Sequence, residues 1–292
     1  MQNKSNNDTI RSSNLPIGVT KMKKDLILTK QLAILEKQEQ KFLNQKNSPF
    51  IKSNFTPVVN KIQAKIPEKL QATLDTAFYM GFHFVFEKGN SLIEKTYNKE
   101  NIDVEYDLNN YALEKYMSKK HMKTLDKSSK QSKAINESIA AIEGGVLGLL
   151  GIGLPDIPLF LGVIIKTINE IALSYGYQYT SNEEKAYILY LICAAMTKED
   201  LRKVYDQKIE RLGKHIDTDT PMDIDLKAVM KETSDLLSNT LLTAKFIQGL
   251  PIVGVIGGVV NPLMVNKTGK YARIKYKKRY LLSKLNPNGV ID

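Results

Sequence analysis

Residues 144–165 read GGVLGLLGIGLPDIPLFLGVII, a stretch of 22 positions with a single charge, Asp156. A second stretch, FIQGLPIVGVIGGVVNPLMV at residues 246–265, carries no charge. Each is long enough to cross a bilayer, for which about 20 apolar residues suffice. Both are nevertheless interrupted by prolines (155, 158, 251 and 262) and by repeated glycines, which break a straight spanning helix. The expectation is a pair of buried, tightly packed helical segments at the centre of a domain. Gly144 with Gly148, and Gly254 with Gly258, each place two glycines on one helix face, where another backbone can approach closely. The two segments are therefore expected to pack on one another.

The surrounding sequence is helical in pattern. Ile62, Ile66, Leu70, Leu74 and Phe78 recur every four residues, predicting a helix from about Val58 past Phe86, bent or divided at Pro67. Residues 104–124 read as one helix, with Tyr106, Leu113 and Met117 on one side and lysines 119, 120 and 123 at its end. Later helix starts are marked by capping residues: Ser181 with Glu184, Thr197 with Asp200, and Thr220 with Pro221 and Asp223. No segment sustains the period-2 alternation of a strand. The fold class expected is all-α, a single helical domain over 58–286. Residues 1–57 are expected to be a basic, largely disordered arm and linker with a short helix at 25–43, and 287–292 a tail.

With Cys193 the only cysteine among 292 residues, an intramolecular disulfide and a cysteine metal site are excluded. The N-terminal MQNKSNNDTIRSSN lacks the apolar run of a secretory signal, so a cytoplasmic location is expected. The net charge is +11, and it is uneven: residues 1–66 hold 12 Lys/Arg against 4 Asp/Glu, and residues 267–284 hold 8 against none. Such ends attract anions.

Nucleophile elbows, phosphate-binding glycine loops and HExxH spacings are absent, and His83, His121 and His215 are isolated from one another in sequence. Neither a metal nor a cofactor is expected. The acids open to a catalytic reading are Glu143, Asp156 and Glu170, although Asp156 is more simply a helix N-cap and Glu170 a partner for Arg273. Lys267, Lys270, Arg273, Lys277 and Lys284, interleaved with Tyr271, Tyr276 and Tyr280, suit an anionic membrane surface. A solvated face ranks second, and nucleic acid last.

Two blocks resemble the EcsC family. The first is the Gly-rich stretch followed by LPDIP and LGVIIKTINEIALSYGY; the second is LPIVGVIGGVVNPLMVNKTGKYARIKYKKRY. The resemblance covers about residues 60–285 and is weaker around AFYMGFHFVFEKG. It implies an all-helical domain and a connection to a membrane system, because the family is named for the third product of an operon encoding an ABC transporter linked to secretion. It supplies neither a reaction nor a catalytic residue. The function expected is a cytoplasmic helical module, peripheral to the membrane, that supports a transport or secretion system. Its expected partners are the anionic membrane surface and membrane-system proteins. The alternative is an enzyme that uses acidic residues on a lipid or membrane-derived substrate.

Overall fold

A computed structural model of the chain describes residues 17–45, 66–116, 118–129, 156–248 and 262–287. Among them are helices α1 (Ile17–Leu43), α2 (Glu68–Phe84), α3 (Asn90–Glu94), α4 (Lys99–Lys115) and α5 (Lys119–Ser128). They continue with α6 (Asp156–Ser174), α7 (Asn182–Met196), α8 (Glu199–Asp217), α9 (Leu226–Gln248) and α10 (Pro262–Leu285), and no strand occurs among the described residues. A π-helical turn, Val85–Gly89, joins α2 to α3.

The last helix forms the axis. α10 packs against α6, α1 and α7 and touches α8, while α2 bridges α6 and α9, and α4 lies on α5 and α6. Because α10 has neighbours on all sides, its apolar residues are buried around its whole circumference: Met264, Tyr271, Ala272, Ile274, Tyr276, Tyr280 and Leu281. α6 is nearly as enclosed. Its Ile157–Ser174 window is apolar and long enough to cross a membrane by composition, and 89% of it is buried inside the fold.

The close approach expected at the paired glycines has a counterpart at Gly269. A Cβ there would lie 3.1 Å from Thr167 Cγ2 on α6, so the absent side chain sets the spacing between α10 and α6. Gly144, Gly148, Gly254 and Gly258 lie outside the described residues.

Several helix ends differ from the sequence-based expectation, each for a local reason. Pro67 precedes α2 in an extended conformation and starts the helix at Glu68. The single helix expected over 104–124 is two, because Ser118 Oγ accepts the His121 amide and caps α5. Lysines 119, 120 and 123 consequently sit at the beginning of a helix, not at an end. Ser181 does cap α7, its Oγ accepting the Glu184 amide at 3.1 Å. Thr197 instead closes α7 by donating its hydroxyl to Cys193 O at 2.9 Å, and α8 follows without a side-chain cap. The next helix is capped by Asp225, which accepts the Ala228 amide at 3.0 Å, five residues beyond the expected Thr220.

The helix expected at 25–43 extends back to Ile17 and lies along α10. Leu28, Leu35, Phe42 and Leu43 are buried there, and the Phe42 ring stacks on Tyr271 at 4.4 Å. A chain segment read from composition as an arm thus contributes to the core through a stripe of four side chains.

Candidate functional site: the paired charges of the last helix

α10 carries eight basic and no acidic residues between Lys267 and Lys284, yet much of it is interior. Burying a charge is costly unless it is paired, so the fold supplies acids from other helices. Lys275, 1% exposed at its side chain, is ion-paired with Glu39 of α1 at 2.5 Å and with Asp206 and Glu210 of α8. Lys278 reaches Glu39 at 2.8 Å and Glu210 at 3.1 Å. Lys277 pairs with Asp126 of α5 at 2.8 Å, and Lys284 with Glu114 of α4 at 2.7 Å. Arg279 bonds Asp217 through Nε at 2.9 Å and Nη2 at 2.6 Å, and its Nη1 lies 2.7 Å from Glu184 of α7.

Aromatic rings complete the Arg279 site. The guanidinium lies 4.2 Å from the Tyr177 ring centroid and 4.7 Å from that of Tyr187, a cation–π arrangement. Tyr276 donates its hydroxyl to Glu184 at 3.0 Å. Burial opposes the charge on Arg279, but Glu184 and its other neighbours outweigh it and hold the group firmly protonated.

Glu39, Asp206 and Glu210 place carboxylate oxygens within 4.8 Å of one another, a spacing that suits a metal ion. The Lys275 ammonium already lies among them and, with Lys278 on Glu39 and Glu210, supplies positive charge there. Burial alone would depress that ammonium; Tyr271, Glu210, Glu39 and Asp206 together raise its pKa well above the ordinary lysine value. Conversely, burial would raise the Glu210 carboxyl, but Lys275 and Lys278 hold it below the usual range.

A cleft of about 480 Å³ lies between α8 and α10, with Glu210, Gly213, Asp217, Lys278 and Arg279 in its walls. Its two acids are bonded to its own cations Lys275, Lys278 and Arg279, while Arg211 and Lys214 add exposed positive charge at its wall. That chemistry serves to hold helices together, and neither acid is poised as a free general base.

Two further groups mark the opposite end of α10. Arg202, fully buried, donates to the carbonyls of Phe42, Leu43 and Gln45 at the end of α1 and to those of Ala194 and Thr197 at the end of α7. Helix C-termini present unsatisfied carbonyls and a partial negative charge, and one guanidinium here serves two of them. Lys267 sits 5.6 Å above the Phe42 ring. Burial, with a smaller contribution from the Arg202 charge, lowers its pKa to about 7. Burial also pushes the Cys193 thiol up to about 12, far from a reactive thiolate.

The residues singled out in the sequence are dispersed. Glu143 lies outside the described residues; Asp156 begins α6, its side chain undescribed; Glu170 faces Lys166 at 3.8 Å. Arg273 donates to Ser129 O at 3.4 Å, and Lys270 is exposed. Lys277 and Lys284 are tied to separate helices. Among the three histidines, His83 faces Glu87 at 3.2 Å, His121 bonds Ser118 and Tyr116 O locally, and His215 lies on α8. The residues that sequence reasoning missed are the partner acids Glu39, Glu114, Asp126, Asp206, Glu210 and Asp217, together with the ion-pairing role of Glu184, read only as a capping residue. One signal was present, because Asp206, Glu210 and Asp217 form one stripe of α8 at helical spacing, but the sequence does not show that this stripe meets α10.

The sequence model described as the EcsC protein family matches residues 29–281. Protein EcsC of Bacillus subtilis (strain 168) is 25% identical over 232 residues, 78% of this chain and 88% of that protein. The uncharacterized protein YdbA of the same strain is 28% identical over 151 residues, so about half of this chain matches 54% of that relative's length. No solved structure matches the chain significantly.

Proposed function

The chain belongs to the EcsC protein family, and from that premise we propose that it is a non-enzymatic helical module. In this reading it docks on the anionic inner face of the cell membrane and supports a transport or secretion system there. The observation that carries the reading is how the charge is divided. The chain has a net charge of +11, and much of α10's positive charge is matched by acids inside the fold. Large apolar side chains meanwhile stand at the surface, Met22 and Leu26 of α1 and Leu108 and Tyr111 of α4 among them. Positive excess with exposed apolar groups suits an anionic lipid surface. The resemblance to the family points the same way, through its link to a membrane system.

The test is fractionation of cells expressing the chain, followed by washes in high salt and in alkaline carbonate. The proposal expects the chain in the membrane fraction and its release by salt. Recovery wholly in the soluble fraction, or resistance to carbonate, would count against peripheral docking. A second reading, an enzyme acting on a lipid-derived substrate, would place its chemistry in the cleft between α8 and α10, against the pairing of Glu210 and Asp217 with Lys275, Lys278 and Arg279. Under it, Glu210→Gln abolishes turnover; under the docking proposal, no turnover depends on Glu210.

A further inference from the structure

α1 has two faces with different tasks. Leu28, Leu35, Glu39 and Phe42 face α10, where they are buried, ion-paired or stacked. Advancing about 100° per residue, the opposite side of the helix presents Lys23, Lys30, Lys37 and Lys41. All four are exposed. Interleaved with them are Met22, Leu26 and Ile34, at 75%, 54% and 51% exposure. These seven side chains fall within about 70° of the direction pointing away from the core. No acid falls in that sector: Glu39 is turned inward, and Asp25 and Glu36 lie beyond its edges.

We propose that this outward face of α1 is the surface by which the chain docks on an anionic lipid bilayer. The inference rests on the membrane reading above and deepens it by naming the contact. Charge complementarity commits the face to that occupant, since four cations without an acid match an anionic surface. The apolar side chains decide between lipid and nucleic acid. Methionine, leucine and isoleucine standing between lysines gain by entering the headgroup boundary, whereas a phosphate backbone gives them no apolar surroundings. The inner face cannot serve the same purpose, because Glu39 is bonded to Lys275 and Lys278 and the helix end is held by Arg202. α1 therefore docks as a fixed ridge on a folded body, and it need not fold on contact.

The experiment uses the full chain and sedimentation with vesicles of phosphatidylcholine, with and without phosphatidylglycerol. Wild type binds the phosphatidylglycerol vesicles, and binding weakens as salt rises. Lys23→Gln, Lys30→Gln, Lys37→Gln and Lys41→Gln combined lower the partition coefficient by about fivefold per lysine, several hundredfold in total. Far-UV circular dichroism and thermal stability stay unchanged, because the positions are exposed and glutamine is nearly as good a helix former as lysine. The same four changes to arginine retain binding, and Met22→Gln with Leu26→Gln weakens binding that survives in moderate salt. If wild type and the quadruple glutamine variant bind equally, the docking face lies elsewhere; the α1 inference fails and the membrane proposal stands. If wild type does not bind phosphatidylglycerol vesicles at low salt, both fail. If the four lysines govern binding to a random DNA duplex and not to vesicles, the face reads nucleic acid and the inference is overturned.

Discussion

Lys275→Met places the heaviest load on the arrangement around α10. The substitution keeps the side-chain length and removes the ammonium that Glu39, Asp206 and Glu210 share. Removing one partner of a buried ion pair costs about 3–5 kcal/mol, because the other charge is left uncompensated. Two features place the expected loss at the lower end. Glu210 is 43% exposed at its side chain and can turn to water, and Lys278 still reaches Glu39 at 2.8 Å. A loss of about 3 kcal/mol is a large part of the roughly 5–15 kcal/mol that stabilises a domain. At about 2–4 °C per kcal/mol for a domain of this size, the melting temperature falls by about 6–12 °C. Thermal and urea unfolding followed by far-UV circular dichroism measure it. Adding Glu39→Gln to the same chain should recover part of the loss, so the double variant costs less than the sum of the singles. A Lys275→Met loss under about 0.5 kcal/mol, or strict additivity of the pair, would refute the claim that this ammonium is the buried counter-charge.

Arg202→Met should destabilise by about 3 kcal/mol or more, since it removes the guanidinium donor from five carbonyls at the ends of two helices; urea unfolding checks this, and a near-neutral result argues against the shared C-cap. Lys267 has its folded pKa lowered to about 7 from 10.5, so between those values the unfolded chain binds more protons and this group's contribution to stability rises with pH. Lys267→Gln should therefore gain most on wild type below about pH 7 and lose that advantage towards pH 10, as read from melting temperatures across the range; a constant difference contradicts it. Gly176→Ala should destabilise measurably, because Gly176 has φ +82 and a Cβ there would lie 2.3 Å from the Tyr106 ring; an unchanged melting temperature would show that the turn and ring yield freely.

Much of the fold is legible in the sequence through periodicity and caps. The Ile66–Leu70–Leu74–Phe78 spacing marks α2, and Ser181 marks the start of α7 because its cap is purely local chemistry. Thr197 is less readable, since a hydroxyl can close the helix before it as well as open the one after, and only the Cys193 carbonyl decides which. α1 is obscured for a different reason. Its composition is basic and polar over most positions, and its place in the fold depends on Leu28, Leu35 and Phe42 meeting a helix more than two hundred residues away. The same distance hides the charge network. Eight cations in α10 are visible from sequence, but composition does not tell whether acids or water surround them, and the pairing of Lys275 with Glu39 exists only in three dimensions. Sequence alone marks both basic ends as attractive to anions; it does not tell that Lys275 and Lys277 of α10 are buried against acids while Lys270 of α10 and Lys23, Lys30, Lys37 and Lys41 of α1 stand exposed.

Lysine reactivity in the native chain, read by mass spectrometry after brief acylation, tests that division of charge most directly. The account predicts that Lys23, Lys30, Lys37 and Lys41 are modified nearly as fast as in the unfolded chain, while Lys275 and Lys277 are protected by burial and by their carboxylate partners. Modification of Lys275 at the rate of Lys37, with the fold intact, would contradict it.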